Sequence, residues 1–169
     1  MILPFSHQHN GQPTYFAEKI NKCIVETRKD FGQAIANYIA YDLIRIEHEM
    51  LQPTSFFNEI KSKKHTFRED EKDRWRKGRL IHPYYFNRTK QAFQCAPIMK
   101  CTGIQHVSII YFKGSPLVMI HNENDSYTVD DSLVDQMAIN DGFNSVDDFF
   151  KWFNKDFHGK IIHWTDIRY

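Results

Sequence analysis

Glycine and proline are scarce in this chain of 169 residues, at seven and six. That excludes collagen-like and linker-type sequences, which those two residues dominate. Cysteine is scarcer still. Cys23, Cys95 and Cys101 are odd in number and form no Cys-x-x-Cys pair. Neither a disulfide framework nor a zinc ribbon is expected, and each cysteine reads as a small hydrophobe in a reduced, cytoplasmic setting. No apolar run approaches the roughly 20 residues of a membrane helix. Residues 1–7 lack the basic stretch and apolar run of a signal peptide, so no membrane association is expected. A glycine-rich phosphate loop, a Gly-x-Ser-x-Gly elbow and a zincin helix are all missing, which leaves no cofactor signature. Among nine histidines, His7 and His9 alternate as on one strand face. No second group of His, Cys or Asp at ligand spacing joins them, so no metal is expected.

What is present is aromatic and charged. Fourteen Phe and eight Tyr help to raise the aromatic share to 15%, a composition of packed cores rather than disordered chains. The length suits one domain over residues 1–169. Residues 14–60 have a helical period. Phe16, Ile20, Cys23 and Ile24 share one face, with Thr14 as a cap, and a second helix runs from the capping-box pair Asp30 and Gln33 to Pro53. The middle block is rich in β-formers: residues 65–68, 79–86, 98–112 and 117–121, with turns at 87–90 and 113–116. Ser145 and Asp148 then cap a helix with the apolar face Val146, Phe149, Phe150 and Phe153. Gly159 is expected to stop it, and residues 161–164 to form a closing strand. Helices, then antiparallel strands, then a helix and a strand argue an α+β fold. So many short strands suit a small barrel that hides its edges.

The formal net charge of +1 conceals two opposed segments. Residues 61–90 carry a net +7, from eleven basic and four acidic side chains. Residues 122–157 carry −7, from two basic and nine acidic. The basic run is interleaved with Phe67, Trp75, Tyr84, Tyr85 and Phe86. Cations that neutralise phosphates, beside aromatic faces that stack on bases, make a nucleic-acid surface. The competing reading is that the two segments pair with each other or form solvated faces.

The run Lys61 to Asp70, then Arg74-Trp75-Arg76-Lys77-Gly78-Arg79-Leu80-Ile81-His82, resembles the ASCH domain family, whose fold is PUA-like. That family's hallmark is glycine, any residue, lysine, four residues, arginine, with a later glycine opening the next strand. Lys63 and Arg68 take the lysine and arginine places and Gly78 the later glycine, while Lys61 stands where the first glycine belongs. Residues 140–153 and 159–164 are similar to the family's last helix and closing strand, which leaves 14–60 as a helical insertion. The resemblance implies a PUA-like pseudo-barrel flanked by helices, with a basic cleft for RNA or a modified nucleoside. Lys63, Lys64, Thr66, Arg68, Arg74, Trp75 and Arg76 are the binding residues expected. One branch of the family hydrolyses acetylcytidine through a lysine, a threonine three residues on and a glutamate on a later strand. Lys63 and Thr66 match the first two, but Lys100 falls at the glutamate's place. Hydrolysis needs a group that takes the nucleophile's proton, so an amidohydrolase acting through Lys63 and Thr66 stands second to a binding module. A protein-interaction domain using the acidic residues 130–156 is the third alternative.

Overall fold

The structure, a computed structural model, describes residues 1–27, 59–123 and 125–169. The helix expected from Asp30 to Pro53 lies outside the described residues. The chain divides into two compact units, one of residues 1–63 and 80–99, the other of residues 64–79 and 100–169. The fold is α+β. No helix among the described residues is long and apolar enough to cross a membrane.

In the first unit, strand β1 (Ile2–Pro4) lies parallel to β5 (Leu80–Tyr85), which pairs antiparallel with β6 (Phe93–Gln94). Strands β2 (Gln8–His9) and β3 (Gln12–Pro13) form a small hairpin. Helix α1 (Phe16–Thr27) buries the face that the period gives, with Phe16, Ile20, Cys23 and Ile24 all at most 5% exposed. Thr14 does not cap it. Its hydroxyl donates to the Ser6 carbonyl, and Tyr15, at φ +54°, makes the turn into the helix. The Tyr85 hydroxyl does the capping, accepting the otherwise unsatisfied Ala17 N–H at 2.8 Å. Cys95, fully buried beside this helix, has its thiol pushed up by burial and by the Glu18 charge, so it packs rather than reacts.

The second unit is built on one antiparallel sheet of order β10-β9-β8-β11-β4. Its strands are β4 (His65–Arg68), β8 (Gly103–Phe112), β9 (Ser115–His121), β10 (Ser126–Thr128) and β11 (Phe157–His163). Short β7 (Met99–Lys100) precedes β8, and helices α2 (Asp131–Asn140) and α3 (Val146–Trp152) separate β10 from β11. One face carries Val107, Ile109, Val118, Ile120 and Ile161, all at most 2% exposed. An aromatic cluster of Phe67, Phe149, Phe153 and Phe157 completes this core, with ring centres 4.8–6.2 Å apart. Phe67, Phe149 and Phe157, the buried rings of this cluster, contribute ~1.5–3 kcal/mol each. Asp130 and Ser145 cap α2 and α3 by accepting the Leu133 and Asp148 N–H groups.

Two boundaries differ from expectation. The run 98–112 is broken at Cys101 and Thr102. Thr102 N–H donates to the His163 carbonyl, and the strand restarts at Gly103. Gly159 ends no helix. Phe153 caps α3, and Gly159 sits inside β11 against the Arg68 carbonyl, where a Cβ would clash. The five-stranded sheet ends at β10 and β4, so no sheet of the described residues closes on itself.

Candidate functional site

The basic run between β4 and β5 is organised from within by one carboxylate. Asp70 accepts the backbone N–H groups of Arg74 at 3.0 Å and Trp75 at 2.7 Å, which folds residues 70–75 into a turn. Asp73 at φ +47° and Gly78 at φ +90° complete it. Gly78 N–H donates to the Cys101 carbonyl at 2.7 Å. This backbone geometry is the reason for a glycine here, since an L side chain at that φ is strained.

Lys160 of β11 fastens the loop. Its ammonium donates to Asp70 at 2.9 Å, to Asp73 and to the Trp75 carbonyl at 3.2 Å. Burial pushes the Asp70 carboxyl up, but the hydrogen bonds from Trp75, Lys160 and Arg74 outweigh it and hold the group below the usual carboxylate range. Burial likewise pulls the Lys160 ammonium down, and its two carboxylate partners more than restore it. Two of the loop's four acids are thus spent on Lys160. Several acids of the 122–157 segment are occupied locally too. Asp130 caps α2, Asp156 accepts the Tyr111 N–H, and Asp148 meets Lys151 at 3.1 Å.

Beside the loop lies a pocket of about 420 Å³. Trp75, 5% exposed, and Gly103 form part of its wall. Arg76, Lys77, His106 and Arg168 line it with exposed side chains. The Arg168 guanidinium donates to the Thr165 carbonyl at 3.0 Å and reaches the Thr102 hydroxyl at 3.4 Å. It lies where a Cβ at position 103 would be. Asp73 is the one carboxylate in the lining, and Lys160 holds it. The arrangement suits a polyanion, because the guanidinium fork binds two phosphate oxygens at once.

The expected site residues fall in several places. Trp75 and Arg76 share this pocket. Arg74 is exposed, its Nε 3.9 Å from Asp70. Arg68 lines a second pocket of about 380 Å³ walled by Phe67, Trp152, Phe153 and Phe157. Its guanidinium is pulled down by burial and raised by the Asp141 charge. Thr66 is buried in β4, opposite Ile162. Lys64 N–H donates to the Asn140 carbonyl at 2.7 Å. Lys63 belongs to the first unit. Its side chain is 1% exposed, with the ammonium 4.5 Å from the Phe16 ring centre and 5.7 Å from that of Phe5. Lys100 is exposed. His106 and Arg168 were not singled out by the sequence. Only the alternation of His106 with buried Val107 along a strand marks its outward face, and nothing local ties Arg168 to residues 76 and 77. No protein-family model, curated protein or solved structure matches this chain, so the ASCH likeness rests on the motif residues alone.

Proposed function

We propose that the protein is an RNA- or nucleotide-binding module of PUA-like type, whose ligand lays phosphate groups against Arg76, Lys77 and Arg168. The observation that carries this reading is the convergence of these three cations on one pocket while Lys160 pairs with the neighbouring carboxylates and offsets part of their charge. An unpaired Asp70 and Asp73 would repel phosphate. The amidohydrolase alternative has no comparable support. Its would-be base, Lys63, is packed on two phenylalanine rings.

The test is fluorescence anisotropy with labelled single-stranded RNA across a salt series. Binding at low salt is expected to weaken with added salt as counterions are reclaimed. The Arg76→Ala/Lys77→Ala double variant is expected to bind at least about tenfold more weakly, because charge-assisted hydrogen bonds contribute ~1.5–3 kcal/mol each. Both residues are exposed, so the fold should persist. No binding at low salt, or a double variant that binds as wild type, overturns the reading.

A further inference from the structure

The face of the five-stranded sheet opposite its core is not an ordinary solvated face. Its central stripe, on β8, runs Ile104, His106, Ser108, Ile110, Phe112. Register places His121 of β9 across from His106, and His158 of β11 across from Ser108. Side chains paired in this way stand on the same side of a sheet.

Three imidazoles therefore share one surface, and the Ser108 hydroxyl joins two of them. Ser108 Oγ lies 2.8 Å from His158 Nδ1 and 2.8 Å from His121 Nε2. His121 Nδ1 lies 2.7 Å from Ser126 Oγ. A hydroxyl has one hydrogen, so Ser108 donates to one ring and accepts from the other. The two rings are thereby held in fixed orientations rather than left to rotate. His106 and His158 are exposed. At the far end of the stripe Phe112 is 62% exposed, with the Lys113 ammonium 5.4 Å from its ring centre. The near end is the cationic pocket itself, which His106 lines.

We infer that this face is a base-stacking platform for single-stranded RNA, entered from the pocket at His106 and leaving past Phe112 and Lys113. The inference rests on the binding reading above and extends it from a pocket to a path. Positive charge marks both ends: Arg76, Lys77 and Arg168 at one and Lys113 at the other. Between them lie flat rings, the side chains on which unstacked bases settle. From residue 106 to 112 a strand advances ~20 Å, room for several nucleotides rather than one. Ser108 is a positioning residue here, because it touches the rings and not the bases.

The test uses fluorescein-labelled oligouridylates of two and eight nucleotides, with uridine monophosphate as competitor. Wild type is expected to bind the octamer more tightly than the dimer. His158→Ala and Phe112→Ala are expected to weaken the octamer about five- to hundredfold each, as loss of one stacked base does, while leaving competition by the monophosphate unchanged. His158→Phe keeps a flat ring and is expected to stay within about threefold of wild type. If the octamer binds and Arg76→Ala/Lys77→Ala weakens it while the His158 and Phe112 variants do not, the platform is overturned and the pocket stands. If those variants weaken the monophosphate as much as the octamer, the platform is again overturned. If wild type binds no octamer at low salt, pocket and platform fall together.

Discussion

Lys160 and His163 sit three residues apart on β11, on opposite faces of one sheet, and both are almost fully buried. Lys160 has two carboxylates and a carbonyl around its ammonium, and it stays charged. His163 has no hydrogen-bond partner at either ring nitrogen among the described residues. Burial first, and then the Arg168 charge, push its imidazole down to about 3. Equal burial thus gives opposite charge states, because the partners decide. The charged group holds the basic loop in shape. The neutral one packs near His65, whose ring centre is 5.3 Å away and whose Nε2 meets the Tyr169 hydroxyl at 2.7 Å.

Substitution separates the two. Lys160→Met removes the ammonium from Asp70, whose side chain is 1% exposed, and leaves it only two backbone N–H donors and the exposed Arg74 guanidinium at 3.9 Å. Such losses cost ~3–5 kcal/mol. Urea unfolding should show that loss, and RNA binding should fall with it as the loop loosens. Stability equal to wild type would mean that the pair does not fasten the loop. His163→Leu should behave oppositely at pH 7, changing stability by less than about 1 kcal/mol, since it removes a polar ring whose nitrogens have no described partner.

Acid sharpens the contrast. A folded imidazole near 3, against an ordinary value of 6.5, means that between those limits the unfolded chain binds a proton and the folded chain does not. Stability present above pH 6.5 is therefore lost as pH falls towards 3, by an amount on the order of a few kcal/mol. The depressed Asp70 carboxyl acts lower, contributing stability above the ordinary carboxylate range that is lost as pH falls through its folded value. Melting temperature followed from pH 7 to pH 3 should decline, and His163→Leu should flatten the upper part of that decline. A variant that declines in parallel with wild type would show that His163 is not the titrating group.

Smaller effects bound the comparison. Gly78→Ala meets Lys100 Cε at 3.9 Å, an ordinary contact, so its cost is the φ of +90° alone. Thermal unfolding should report a loss of ~1–2 kcal/mol. Ser145→Ala removes the α3 cap, far from both β11 residues in its bonding. It should cost ~1 kcal/mol and leave the acid response as in wild type.

Much of the local structure was legible. The strand at residues 65–68, the capped helix after Ser145 and the buried face of α1 follow from period and capping chemistry, which act over a few residues. The pocket was legible in part. The charge run and Trp75 pointed to the loop, and the motif glycine Gly78 marked its end. Lys160, His106 and Arg168 did not show, because nothing near them in sequence encodes the strand register that delivers them. Asp30 and its capping box lie outside the described residues. Gly159 misled for a physical reason. Glycine ends helices by its freedom at positive φ, but here it serves by having no side chain beneath a neighbouring carbonyl.

The bond from Lys160 to Asp70 spans ninety residues. The basic loop is among the early parts of its unit to leave the ribosome, yet the side chain that shapes it arrives with the last strand. Contacts so distant in sequence form late in folding, after long loops have closed. A nascent or truncated chain that stops before β11 carries the basic run with Asp70 and Asp73 lacking their lysine partner. The charge of such a segment is in place early, but the turn that arranges it is fastened only when β11 docks.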